Sequence, residues 1–219
     1  MWNSQVIVML LEGIRDTLYM TLASTLFGYI IGLPMGIVLT VTDKDGIRPN
    51  VAVYKVLDVI SNLLRSIPFI ILLIVLIPFT RFVVGRSYGS TATIVPLTIA
   101  AAPYIARMVE SSLKEVDAGV IEAARSMGAS DFQIVTRVML VEARTSLIVG
   151  ATISLGTILG YSAMAGTVGG GGLGDIAIRY GYTRWQTDIM IVTVILLIIL
   201  FQIFQTVGMK LADKFDHRK

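Results

Sequence analysis

Side chains able to carry bond chemistry are scarce in this chain of 219 residues. It has no cysteine, which excludes disulfides, thiolate metal sites and cysteine nucleophiles. Its one histidine, His217, lies near the end of the sequence, so neither a His-based catalytic centre nor a multi-His metal site is expected. Gly169, Gly171 and Gly174 satisfy the spacing G-x-G-x-x-G within GGGGLG. A dinucleotide site needs that spacing between the strand and helix of a βαβ unit. No such unit flanks it, so a flexible outer loop is the expectation. No stretch fits the phosphate-binding pattern G-x-x-x-x-G-K-S/T, so work driven by ATP would need a second chain to hold the nucleotide. No catalytic residue and no metal ligand are assigned.

The polar interval with an organised pattern is Val116 to Ala143, VDAGVIEAARSMGASDFQIVTRVMLVEA. Asp117 is placed to cap a helix running through Glu122, Ala123 and Ala124 to Met127. Gly128 supplies the left-handed position that commonly ends a helix. Ser130 with Gln133 three residues on is a capping-box pattern, with Ala129 and Ile134 as a weak hydrophobic staple. The interval therefore reads as helix, glycine turn and second helix. Two uses fit the residues alone: a docking element for a partner, or an amphipathic pair lying on a bilayer.

What positions this interval follows from composition. The chain is 55% hydrophobic and 15% charged, against about 25% charged in an average soluble domain. Its mean hydropathy is +0.78. Lipid is the expected solvent. Residues 1–12 have neither a basic region nor a small-x-small cleavage pattern, so no cleaved signal is expected there. Five apolar runs of spanning length are expected at about 18–41, 56–77, 91–108, 146–165 and 189–207, an all-α membrane protein forming one domain over 1–219.

Within the runs, Gly28, Gly32 and Gly36 make a small-residue ridge that invites close helix approach, as do Thr152, Gly156, Gly160 and Met164. Pro96 and Pro103 predict a broken third helix, and Pro78–Ser90 reads as a short loop. Arg65 lies inside the second run, where a charge costs about 3 kcal/mol unless it faces a cavity or partner. Asp58, two turns earlier, is a candidate partner. The alternative is an arginine whose head snorkels to the interface.

Five spans put the termini on opposite sides. With the N-terminus outside, twelve Lys and Arg fall on inner segments and five on outer ones. The positive-inside rule then places the 116–143 interval and the basic C-terminal tail in the cytoplasm.

Glu122-Ala123-Ala124, Gly128 and the apolar run Ile134 to Leu140 resemble the EAA loop of ABC-importer permeases, with Leu140-Val141 where that family usually has Leu-Pro. Arg65-Ser66-Ile67-Pro68-Phe69, Ala102 to Glu110, Tyr161-Ser162-Ala163-Met164 and Gly171-Gly172-Leu173-Gly174 narrow the resemblance to the methionine-importer permeases. The resemblance implies a five-helix permease paired as a homodimer in the bacterial inner membrane. It implies two ATP-binding subunits at the cytoplasmic face, which hold ATP and Mg, and a methionine-binding lipoprotein at the outer face. No cofactor in this chain and no nucleic acid are implied. Asp117, Glu122, Ala123, Ala124, Met127, Gly128 and Ser130 would couple to the ATPase. Met164 would close the pathway, with Gly160, Ser162, Arg65 and Ser66 beside it.

Three alternatives remain. A permease for another small amino acid would share these features. An ion-coupled carrier generally carries acids within its spans and internal repeats, and this sequence has neither apart from Asp58 near a span end. A passive channel would leave the helix-glycine-helix interval without a use.

Overall fold

The computed structural model describes residues 4–215, and no strand occurs among them. His217, Arg218 and Lys219 lie outside the described residues. Four helices are long and apolar enough to cross a membrane, or five if the pair broken at Ile67–Pro68 counts as one span. The chain divides into two compact units. One is built from the chain up to Phe27, Ile67–Ala101 and Leu155–Gln205, and the other from Gly28–Ser66, Ala102–Ser154 and the chain from Thr206.

Helix α1 covers Ser4–Thr42, starting well before the expected Leu18, and keeps Pro34 inside it. The second run is not one helix. Helix α2 ends at Ser66, and Pro68, in an extended conformation (φ −55°, ψ 133°), caps α3, Phe69–Val75. The expected loop after Pro78 is largely α4, Ile77–Val84. Proline in a first turn costs no intrahelical bond, and Gly85 ends the helix at φ 80°. Helix α5, Ser90–Lys114, is also longer than expected, and it is continuous through Pro96 and Pro103. The expected break is absent because each proline removes one hydrogen bond while its φ still suits a helix. The stripe Leu97, Ala101, Ile105 and Val109, each no more than 1% exposed, keeps the helix packed. Helix α6 is Ala118–Ser126. The second half of the polar interval comprises α7 (Asp131–Gln133), a wider π turn (Ile134–Met139) and α8 (Leu140–Glu142). Helix α9 follows at Arg144–Ala165, then α10 at Gly172–Ile176 and α11 at Thr187–Phe215.

In the first unit, the segment 166–182 is not the flexible loop its glycines suggest. A 3-10 turn, α10 and a π turn (Ala177–Tyr182) follow one another, and Leu173 is fully buried. The glycines serve close approach instead: a Cβ at Gly174 would lie 2.6 Å from the Cα of Ala163. Thr17 Oγ1 accepts the Leu173 N–H at 2.9 Å and ties the segment to α1. In the same unit the rings of Phe69 and Tyr161 stack, with centroids 4.6 Å apart.

In the second unit the α1 glycine ridge packs on α5. A Cβ at Gly32 would lie 2.6 Å from the Ala102 carbonyl oxygen, and one at Gly36 would lie 2.7 Å from the Val109 Cβ. Both are shorter than any tolerated contact; the Ala106 carbonyl oxygen would also lie 2.5 Å from the Gly36 Cβ, and backbone cannot yield cheaply. Gly36→Val is therefore expected to lower thermal stability in detergent by about 1–3 kcal/mol. Val38→Leu, on the open face of the same helix, is expected to change it by less than about 0.5 kcal/mol. Equal stability of the two variants would show that the ridge carries no packing.

Candidate functional site

The polar interval is built by its caps. Asp117, at φ −61° and ψ 130°, accepts the Gly119 N–H on Oδ1 at 2.7 Å and starts α6. The helix closes on Gly128, at φ 83°, with Gly128 N–H donating to Arg125 O and Ala129 N–H to Ala124 O. That six-residue return bond is the helix end a left-handed glycine permits. Ser130 and Gln133 then make the reciprocal box: Ser130 N–H donates to Gln133 Oε1 at 2.9 Å, and Gln133 N–H to Ser130 Oγ at 3.4 Å.

The pair has an anchored side and an open side. Ala124, Ile134 and Met139 are buried, whereas Glu122, Ala123, Gly128 and Ser130 are exposed. Met127 is 82% exposed and Phe132 76%. Two large apolar side chains therefore stand outward at the glycine turn. Phe132 is a functional candidate that sequence reasoning passed over. Its signal was present, since it sits in the first turn after a capping box, but nothing local shows which way it faces.

A charged network lies behind this tip in the same unit. Arg125 on α6 donates from Nη2 to the Ile47 carbonyl at 2.8 Å, joining α6 to the loop between α1 and α2. Asp43 in that loop pairs with Lys114 at 2.6 Å, and Lys114 reaches Glu110 at 2.8 Å. Glu110, 5% exposed, also accepts from Arg107 at 2.6 Å and from the Tyr54 hydroxyl at 3.3 Å. Arg107 in turn pairs with Asp58 and donates to Asn62 at 3.1 Å. Asp58 is therefore the partner of Arg107 and not of Arg65. Seven helical residues separate Asp58 from Arg65, a rise of about 10 Å, too far for a direct pair. Arg65 itself is exposed, and its neighbour Ser66 donates back to Asn62 O at 2.7 Å.

The hydrogen bond from Lys114 holds the Asp43 carboxyl below its ordinary value of 3.8. A lowered folded-state value means that the pair stabilises the fold above the ordinary value and ceases to do so as pH falls through the lowered one. The unfolding midpoint of wild type should thus exceed that of Asp43→Asn at pH 6, and the gap should close below pH 3.8. A gap that widened on acidification would contradict the pairing.

A cavity of about 450 Å³ opens beside the base of α6, lined by Glu115, Asp117, Glu142, Ser146 and Phe215 among others. Among the described residues there is no cluster suited to a metal ion.

The pathway candidates separate into inward and outward groups. Ser162 is 1% exposed and donates to Leu159 O at 2.7 Å within its own helix. Met164 is 46% exposed, and nothing lies within 4 Å of a Cβ at Gly160. These two share one open face of α9, one turn apart.

A family model described as "Binding-protein-dependent transport system inner membrane component" matches residues 28–218. The chain is 48% identical over 210 residues to the probable D-methionine transport system permease protein of Vibrio cholerae, covering 96% of this chain and 93% of that one. It is 53% identical over 158 residues to the D-methionine transport system permease protein of Escherichia coli K12, covering 72% and 73%. Among solved structures, it superposes with a TM-score of 0.97 on a chain of the MetNI methionine ABC transporter in an inward-facing conformation. That chain is 47% identical, with 99% of this chain and 100% of that one covered. A chain of an amino acid ABC transporter, 20% identical over the full length of both, shares the fold at a TM-score of 0.72.

Proposed function

The chain belongs to the binding-protein-dependent transport system inner membrane components, and on that premise we propose that it is the permease subunit of an ATP-driven importer of methionine. The observation that carries the substrate is the 48% identity to a D-methionine permease across 96% of this chain. The chain performs no bond chemistry. ATP and Mg belong to a separate ATPase.

The partners are those the resemblance implies, and two exposed surfaces support two of them. One ATPase subunit docks on the α6 tip of each permease copy, where Met127 and Phe132 stand exposed around Gly128. A second copy of the permease meets the open α9 face at Gly160 and Met164, and a methionine-binding lipoprotein delivers substrate from outside. The excess of basic residues on inner segments supports an outer N-terminus and a cytoplasmic C-terminus. Closure of the ATPases moves the Asp117–Arg137 pair as one lever, and the paired spans rock from inward-facing to outward-facing. Asp117, Glu122, Ala123, Ala124, Gly128 and Ser130 give that lever its shape, while Met164 closes the pathway. Arg65 and Ser66 lie at the exposed end of α2 and are assigned to the pathway by the resemblance alone. Ser162 is buried and bonded to the Leu159 carbonyl within the helix that carries Met164.

The test is uptake of labelled methionine into proteoliposomes holding this chain and its ATPase, with binding protein outside and ATP inside. ATP-dependent uptake is expected. Hydrolysis without methionine entry would keep the permease and remove the substrate; uptake by this chain alone under an ion gradient would replace the mechanism. In the same assay Met164→Ala is expected to leak methionine without ATP. Unchanged leakage and basal ATPase would remove the gate from Met164.

A further inference from the structure

Trp185 has a positive φ, 57°, which no other described non-glycine residue shows. It stands where the π turn ends. Gln186 N–H returns to Tyr180 O at 3.2 Å and Thr183 N–H to Ile178 O at 2.9 Å. Glycine is the usual occupant of such a left-handed terminus, because any Cβ is strained there. A tryptophan held in that conformation would be expected to regain the cost by burying its ring. It does not, since Trp185 is 85% exposed and Tyr182, on the preceding turn, is 68% exposed. Burial among the described residues does not offset the strain, and the indole is left open to what surrounds the chain.

The position of the pair indicates what that is. Helix α11 begins two residues later, at Thr187, and its most apolar window has a mean hydropathy of 2.5 with only 11% of it buried. Such a helix meets acyl chains along most of its length, and Trp185 and Tyr182 sit where it enters them. Arg184 lies between the two aromatics in sequence, with its guanidinium 4.5 Å from the Tyr180 ring centroid, a cation held at the same level. Amphipathic rings with a neighbouring cation suit the headgroup layer, where the ring meets hydrocarbon and its polar edge meets water and phosphate.

We propose that Trp185 and Tyr182 form a lipid-interface anchor that seats the start of α11 at the boundary between headgroups and acyl chains. The proposal rests on α11 crossing the bilayer, as the transport reading requires.

The sequence contains two tryptophans, so the difference in emission between wild type and Trp185→Phe isolates the indole in question. The full chain is reconstituted in phosphatidylcholine–phosphatidylglycerol vesicles. Their lipids carry bromine either near the headgroup end or near the tail end of the acyl chain, and aqueous acrylamide is the competing quencher. The expected result is loss of most of the Trp185 emission with headgroup-proximal bromine, a smaller loss with tail-end bromine, and weak quenching by acrylamide. Strong acrylamide quenching with no bromine effect would overturn the anchor. So would shielding that appears only when the binding protein is added, which would make the pair a protein-docking surface. In both of those cases a chain that resists extraction by alkaline carbonate still spans, and the transport reading stands. Release by carbonate would overturn the anchor and that reading together.

Discussion

Replacing Gly128 with valine is expected to stop methionine uptake while the chain still inserts and still assembles with its ATPase. Gly128 has a φ of 83°, and nothing lies within 4 Å of a Cβ built there. Steric clash is therefore not the issue. The cost is backbone strain of about 1–2 kcal/mol for an L-residue in the left-handed region, and a β-branched side chain stands at the high end. The neighbouring structure has a ready means of relief. If Gly128 leaves that region, the bonds from Gly128 N–H to Arg125 O and from Ala129 N–H to Ala124 O open, and Met127 swings relative to Ser130. The apolar tip is then no longer one rigid surface. Gly128→Asn, which tolerates the left-handed conformation, should retain most of the uptake. Hydrolysis that continues while uptake falls at least tenfold would mean a loss of about 1.4 kcal/mol or more in coupling. Glu122→Ala, on the exposed face of the same helix, should act in the same direction with less effect. Normal uptake by Gly128→Val and Glu122→Ala at normal expression would remove the interval from coupling.

Glu110→Ala is expected to have the largest effect on the fold. Glu110 is 5% exposed and accepts from Arg107, Lys114 and the Tyr54 hydroxyl. Its removal takes the shared carboxylate from Arg107 and Lys114 and leaves each with one acidic partner, Asp58 and Asp43. Removing one partner of a fully buried pair costs about 3–5 kcal/mol, and the remaining pairs, with Lys114 42% exposed, hold the loss below that range. An exposed pair is the control. Lys44 and Asp45, 3.7 Å apart with side chains 81% and 82% exposed, should cost less than about 1 kcal/mol when either is removed. Arg107→Met should fall between, because Glu110 keeps Lys114 and Tyr54. Thermal unfolding in one detergent orders the three variants. A Glu110→Ala midpoint no lower than that of Lys44→Ala would show that the network is solvated and carries little.

The elements whose signals span only a few residues were legible from the sequence alone. Asp117, Gly128, Ser130 and Gln133 act on backbone groups two to three residues away, so residue type and spacing defined the helix ends around the polar interval. Lipid as solvent, the all-helical fold and the glycine ridge on α1 were equally legible, because composition and four-residue spacing are properties of one segment. The family resemblance rested on strings of the same kind.

Tertiary structure decided the rest. Asp58 had a plausible local partner in Arg65, yet Arg107, 49 residues away, takes it. Pro96 and Pro103 carry a local signal for a break, and burial of the α5 stripe overrides it. The segment 166–182 has the composition of a loop, but Thr17, 156 residues from Leu173, binds its backbone and the glycines let Ala163 pack against it. The exposure of Met127, Phe132 and Trp185 likewise depends on which faces the rest of the chain covers. The physical reason is common to all of these. Caps and periodicity are set by the energies of neighbouring residues, whereas pairing and burial depend on which distant segments meet, and that is decided only when the helices pack.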